Sequence, residues 1–327
     1  MKKNLLKITT AMLCLALISG CGLGRRETAP EPEPPADPAG TAEPAPVYSV
    51  ADYFPFLENT TLRYTDADVD SVFWERFMLY TDASGVQMLS SGSNFRTTDV
   101  FRIEDGALKN LAGSNRYSYD NILDVPNMRH ITVLQEPLEL GHTWEYIRNG
   151  VEAEITGINK KVVVPYGEFE ALQVTIRHGE NDTQWDYFAR GVGLIRRSRS
   201  VDGEEMSMNL VDVIRGAPKT IEVDICKVNT TTDRLEWERC PFELTTNMDM
   251  VEYWNALLKT PLPIDYQPLL PGESGILSFS LDRVEQLLTV DLSEDYIGNI
   301  GAGAGIESAA LQALANTLGN FHAASHV

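Results

Sequence analysis

From residue 47 to residue 215 the chain repeats one short unit: a few residues of apolar, aromatic and β-branched character, then a turn. Apolar residues alternate with polar ones instead of recurring every third or fourth position, which is the periodicity of strands with one buried face. Thr61-Leu62-Arg63-Tyr64-Thr65 and Trp74-Glu75-Arg76-Phe77-Met78-Leu79-Tyr80 show it in part. Gly85, Gly92 and Asp105-Gly106 mark turns. Asp105-Gly106 sits between Phe101-Arg102-Ile103 and Ala107-Leu108 and suits a two-residue hairpin loop, whose central residues both need positive φ. Further strands are expected at 151–158, 161–164, 169–176, 183–188, 194–200 and 205–214, with Pro165-Tyr166-Gly167 as a turn. The expectation is a mainly β N-terminal domain over residues 47–216, built as a curved antiparallel sheet.

The first residues belong to a different kind of segment. Lys2, Lys3 and Lys7 precede an uncharged apolar stretch over residues 8–19. That stretch is too short for a membrane span, which needs about 20 residues, and fits the core of a signal peptide. It ends Leu17-Ile18-Ser19-Gly20-Cys21. Small residues before the cut let the backbone enter a peptidase, and the Cys21 thiol can take a diacylglyceryl group as a thioether. The pattern resembles the lipobox of bacterial lipoproteins, which implies cleavage after residue 20 and a lipid anchor on Cys21. Gly22 follows the cysteine, and by the same resemblance it does not argue for retention at an inner membrane. Two acyl chains are needed for stable anchoring, since burial contributes roughly 0.8 kcal/mol per methylene. Residues 21–46 form the lipidated cysteine and a proline-rich linker with too little apolar surface for a core. Extended as polyproline II, it could reach ~80 Å from the membrane.

The formal charge is −20, and loss of residues 1–20 with their three lysines makes it −23. Nucleic acid is excluded as a partner, because binding it requires lysine and arginine to displace counterions. Lying flat on anionic lipid is disfavoured for the same reason. Cys14 leaves with the signal peptide and Cys21 carries lipid, which leaves Cys226 and Cys240. Outside the cytoplasm they could form a disulfide worth roughly 3 kcal/mol for a loop of about 15 residues, or remain two buried thiols.

Residues 218–327 change character. Ile221, Val223 and Ile225 alternate as a strand, and 235–242 supplies another. A short helix is expected at 249–258, capped by Asn247 and stopped by Pro261 and Pro263. Strands follow at 275–281 and 287–292, then a helix at 306–318 with Ile306, Ala310, Ala313, Leu314, Thr317 and Leu318 on one face. This ββαββα order gives a small α+β C-terminal domain. It resembles the GerMN domain of sporulation and spore germination lipoproteins through Trp254-Asn255-Ala256-Leu257-Leu258, Leu269-Leu270-Pro271-Gly272 and Leu288-Thr289-Val290-Asp291-Leu292-Ser293. Gly305-Ile306-Glu307-Ser308-Ala309-Ala310 and the helix after it belong to the same pattern. In that family a further strand follows the last helix, and here His326-Val327 stands where it would begin. Pro137-Leu138-Glu139-Leu140-Gly141-His142-Thr143-Trp144, Val162 to Ala171 and Trp185 to Ile195 are similar to segments of bacterial exported lipoproteins, some of which carry lipids.

No constellation points to catalysis or to a bound metal or cofactor. Gly301-Ala302-Gly303-Ala304-Gly305 lacks the following lysine of a phosphate loop, and Glu307 would repel phosphate. Asp66, Asp68 and Asp70 start like a calcium loop, but Ser71 and Phe77 stand where glycine and glutamate are needed. His322 and His326 have helical spacing but lie beyond the predicted helix. No Gly-x-Ser-x-Gly elbow is present. The five tryptophans read as core residues. The expectation is therefore a non-enzymatic envelope lipoprotein on the extracytoplasmic face of the membrane. It would contact envelope proteins or copies of itself, in sporulation, germination or envelope assembly. The alternative is a lipid- or glycan-binding carrier that uses the β domain.

Overall fold

The computed structural model of the chain describes residues 47–66, 72–124, 126, 128–148, 150–299 and 304–327. The signal peptide, Cys21 and the linker lie outside the described residues, as do Asp68, Asp70, Ser71 and the Gly301-Ala302-Gly303 run. A short helix, α1 (Val50–Tyr53), is followed by β1 (Thr60–Asp66), β2 (Val72–Thr81), β3 (Gly85–Gly92), β4 (Arg96–Glu104) and β5 (Ala107–Ser114). Next come β6 (Ile131–Gln135), β7 (Thr143–Ile147), β8 (Val151–Val164), β9 (Gly167–Gly179), β10 (Asp182–Ala189), β11 (Gly193–Val201) and β12 (Glu204–Arg215). Each strand pairs antiparallel with its sequence neighbours, and β1 also pairs with β12, from Thr60↔Arg215 to Asp66↔Met208. The sheet is thus a closed barrel and corrects the expectation of an open curved sheet. Closure leaves neither β1 nor β12 with a free edge, which removes the template for unwanted pairing. The Asp105-Gly106 turn forms as read, with φ of 52° and 69°.

Twelve strands enclose more room than the eight that side chains alone can fill. Large residues and α1 fill the difference. Met78, Val86, Met88, Phe101, Leu108, Ala153, Ile155, Val174, Ile176, Phe188 and Leu210 share one buried cluster with Val50, Tyr53 and Phe54. Helix α1 closes one end of the barrel: the Val50 N–H donates to Glu136 Oε1 and the Gly191 N–H to the Asp52 carbonyl. The Phe54 ring lies 5.3 Å from that of Phe101.

On β2 to β5 the opposite faces are buried too. Phe77, Leu79, Leu89 and Val100 alternate with the inward Met78, Met88 and Phe101, yet are almost inaccessible to solvent. A register shift between Met78 and Tyr80 brings both Leu79 and Tyr80 to the outer side. What covers them is the rest of the chain: β13 (Lys219–Asn229), β14 (Arg234–Leu244), α2 (Met250–Leu258), β15 (Tyr266–Gln267), β16 (Ile276–Asp282), β17 (Leu287–Leu292), α3 (Asp295–Asn299) and α4 (Ala304–His322). These form a sheet ordered β14-β13-β15, a β16-β17 hairpin, and helices packed on them. Past α4 the chain returns to β17, where His326 makes a parallel bridge with Leu287. Val47–Val327 is one compact unit.

Three sequence readings are corrected here. Asp249, not Asn247, caps α2, its side chain accepting from the Glu252 N–H. Cys226 and Cys240 are free thiols. In the β13–β14 hairpin Cys226 lies opposite Trp237 and Cys240 opposite Val223. The cysteines are thus out of step by an odd number of residues and leave opposite faces, roughly 10 Å apart along the strands, beyond the ~7 Å Cα limit for a bridge. Trp237, expected in a core, is 54% exposed, because β14 is an edge strand whose outer positions nothing covers.

Candidate functional site

The two parts of the compact unit meet along a junction that combines a core, a polar latch and a cleft. The core contains Phe77, Leu79, Tyr80, Leu89, Val100, Ala112, Ile122 and Leu123 from the barrel. The C-terminal side contributes Phe242, Leu244, Met250, Trp254, Leu314, Leu318 and Phe321. The loop between β14 and α2 completes the docking. The Asn247 N–H donates to the Leu79 carbonyl at 2.8 Å, the Thr81 N–H donates to Asn247 Oδ1 at 2.9 Å, and Thr246 Oγ1 donates to the Met78 carbonyl at 2.6 Å. Asn247 has φ of 60°, a left-handed conformation that asparagine tolerates, and this turns its side chain back to the barrel. That is why it is not a helix cap. Lys219 Nζ, at the start of β13, donates to Glu75 Oε2 on β2 at 2.9 Å. Burial alone would raise the Glu75 pKa, but Lys219 and Arg63 outweigh it and hold the carboxyl below its usual range.

The latch centres on Asp120, in the segment between β5 and β6. Its Oδ1 lies 2.9 Å from Nδ1 of His322 on α4, and its Oδ2 accepts from Arg283 of the β16–β17 turn at 3.3 Å. Arg283 also donates to Ser118 Oγ at 2.8 Å. The His322 side chain is fully buried and neither ring nitrogen makes a hydrogen bond, so its approach to Asp120 is a close contact and not a directed bond. An acid and a histidine side by side are two parts of a triad, but no hydroxyl or thiol bonds to His322. The directed bonds of the cluster run from Arg283 to Asp120 and Ser118, and they hold the β16–β17 turn against the barrel beside the end of α4.

Beside the latch lies a cleft of about 650 Å³. Its barrel wall is the β3–β4 turn with Asn94, Phe95 and Arg96, and the segment Asn115, Arg116, Tyr117 and Tyr119. The other wall is Glu222 and Asp224 of β13 and the end of α4 with Asn320 and Phe321. Tyr119 stacks on Phe321 at 4.2 Å, Tyr117 meets Tyr119 edge-on at 5.8 Å, and the Arg96 guanidinium sits 5.6 Å over the Tyr117 ring. Burial raises the Tyr119 pKa, so its hydroxyl stays protonated.

A second polar cluster lies inside the barrel. Asp186, 1% exposed, accepts two bonds from Arg197 at 2.7 and 2.6 Å and a third from Gln184 Nε2 at 3.0 Å. Asp186 raises the Arg197 pKa even though burial pulls it down. Buried Arg76 sits between Trp74 at 4.9 Å and Phe101 at 5.3 Å, and burial lowers its pKa. Tyr64 donates to the Leu194 carbonyl at 2.8 Å, and its pKa is pushed up to about 12 by burial.

Of the site residues read from sequence, Cys21 lies outside the described residues, and Cys226 and Cys240 are not brought together. The cleft and the latch went unread. The segment Asn115-Arg116-Tyr117-Ser118-Tyr119, polar with two tyrosines in what reads as a loop, was the signal available for the cleft. Asp120 and His322 are too far apart in sequence to be linked without the fold. No group of three or more metal-ligating side chains is present among the described residues, and no helix among them is long and apolar enough to cross a membrane.

Residues 226–327 match the family model Germane, described as sporulation and spore germination. The C-terminal part, from within β13 onward, is therefore a Germane domain. Two solved structures are similar over half of this chain. One, from Bacteroides fragilis NCTC 9343, is provisionally described as an exported protein with YmcC-like fold; it is 14% identical, with 50% of this chain and 99% of that chain covered and a TM-score of 0.30. The other, from Parabacteroides distasonis ATCC 8503, is provisionally described as a lipoprotein; it is 13% identical, with 50% and 98% covered and a TM-score of 0.32. The comparison with curated proteins returned no match.

Proposed function

We propose that this chain is a non-enzymatic lipoprotein of the cell envelope, anchored on the extracytoplasmic face by lipid on Cys21. It presents a barrel–Germane body to other envelope components during sporulation, germination or envelope assembly. The observation that carries this reading is the shared core of the junction. A protein that works by holding partners in place needs its parts to move as one body, and burying Phe77, Leu79 and Trp254 in a single core provides that. The alternative, a carrier with its ligand inside the barrel, has to contend with an interior already occupied by Met78, Met88, Phe101 and the α1 residues.

The test is fractionation of the full chain in its own cells beside Cys21→Ala. The wild type is expected in the membrane fraction and the variant in the soluble extracytoplasmic or uncleaved precursor fraction. A variant that remains membrane-bound after signal cleavage refutes the anchor. Germination and sporulation of cells carrying the variant then report whether tethering matters to the process.

A further inference from the structure

The structure assigns a ligand class to the junction cleft: we infer that it binds a glycan strand of uncharged, N-acetylated or neutral sugar rings. This deepens the envelope reading above and rests on it, because such polymers are what a tethered extracytoplasmic protein meets.

Three features carry the inference. First, the cleft is large enough for an extended ligand and lies between two structural parts, where binding sites concentrate. Second, aromatic rings line it: Phe95 stands free of the core, and Tyr117 and Tyr119 pack on the core's rim. Phe95 is 39% exposed at the tip of the β3–β4 turn, and Tyr117 and Tyr119 are half-buried. Exposed rings lose hydration-shell water when an apolar face covers them, and the C–H face of a pyranose is such a surface. Third, polar groups surround the rings with their hydrogen-bonding capacity unspent. The side chains of Asn94, Asn115, Asn320 and Arg116 make no hydrogen bond to another described residue. Amides offer a donor and an acceptor together, which matches vicinal hydroxyls and acetamido groups.

Charge decides against the other polymers. Arg96 and Arg116 on the barrel wall face Glu222 and Asp224 of β13, and Asp224 is itself paired with Arg239. A phosphate-bearing chain would meet two carboxylates as well as two guanidiniums, in a protein of formal charge −20. An acyl chain would leave the amides and charges of the lining without water or partners.

The experiment is isothermal titration of the full lipidated chain, in detergent micelles, with chitohexaose and separately with maltohexaose. Saturable binding of either sugar is expected, weakened about tenfold by Phe95→Ala and by Asn115→Ala, which is one stacking or one well-placed hydrogen-bond contribution. Both residues are exposed, so the variants should melt like the wild type, and Ile264→Ala, on a residue 97% exposed elsewhere, should bind normally. No saturable heat with either sugar up to about 10 mM would overturn the proposal. So would binding that Phe95→Ala and Asn115→Ala both leave intact, since the sugar would then sit elsewhere. In either case an intact Cys21-dependent membrane location leaves the envelope reading standing, whereas loss of that location removes it whatever the sugars do.

Discussion

Phe77→Ala tests whether barrel and Germane domain are one cooperative body. Phe77 is inaccessible to solvent and sits on the outer face of β2, among residues from both parts. Truncation of a buried phenylalanine to alanine costs about 3–5 kcal/mol, from lost transfer energy plus the cavity left behind. A rigid junction cannot collapse around the gap, because Leu79 and Asn247 are fixed by hydrogen bonds across it. The upper half of that range is therefore expected. In a unit larger than 200 residues, about 2 °C is lost per kcal/mol, so the melting temperature should fall by about 8–10 °C. The decisive assay is native-state hydrogen exchange read by mass spectrometry. If the core is shared, amides of α4 lose as much protection as those of β2, since both exchange through the same global opening. Met88→Ala, inside the barrel and 1% exposed, should lower both in the same proportion for the same reason. A Phe77→Ala protein that loses protection in β2 while α4 is unchanged refutes the reasoning. So does a total cost below about 1 kcal/mol, the level of surface substitutions.

Two further outcomes follow from the polar groups. Asp186→Ala removes the partner of Arg197, a step that costs about 3–5 kcal/mol in a fully buried pair. The Arg197 side chain is 35% exposed and can rehydrate, so about 1–3 kcal/mol is expected, and chemical denaturation of Asp186→Leu/Arg197→Met should recover most of it. The Glu75 carboxyl is held below the ordinary glutamate value of 4.5, so its ion pairs with Lys219 and Arg63 stabilise the fold above that pH. That stability is lost as the pH falls through the depressed folded value. Melting curves between pH 3 and pH 6 should show wild type losing its advantage over Glu75→Gln below about pH 4.5, and parallel curves would sink the assignment.

Much of the fold was legible because its signals are local. Strand alternation, Asp105-Gly106, the α2 stop at Pro261 and the apolar face of α4 each follow from a few neighbouring residues. Barrel closure was not legible, since Thr60 and Arg215 carry nothing that marks them as partners. The outer burial of Phe77, Leu79 and Leu89 went unread, because the segment was taken as a strand with one buried face, although Phe77-Met78-Leu79-Tyr80 is apolar on both. Cys226 and Cys240 misled for a related reason: a hairpin was correctly expected, but whether two residues face each other depends on register, and one odd step reverses the face. Asn247 carried a cap's chemistry and spent it on Thr81 instead.

The placement of polar groups separates the two ways this molecule could hold a ligand. Inside the barrel Asp186 is committed, accepting three bonds from Arg197 and Gln184, and Arg76 is held between two rings with its Nε unpaired. Opening that interior to a ligand would break a network whose members lose water and partner together, which is expensive in a low-dielectric setting. At the junction the opposite holds. Its amides and one guanidinium are solvated and uncommitted, and its rings are already ordered by stacking on Phe321. A ligand there exchanges loosely held water for fixed partners without dismantling anything. The stack of Tyr119 on Phe321 seats the end of α4 against the barrel wall and bounds one side of the cleft. Binding would then press on the same contacts that join the barrel to the Germane domain, so occupancy and rigidity of the junction should rise together.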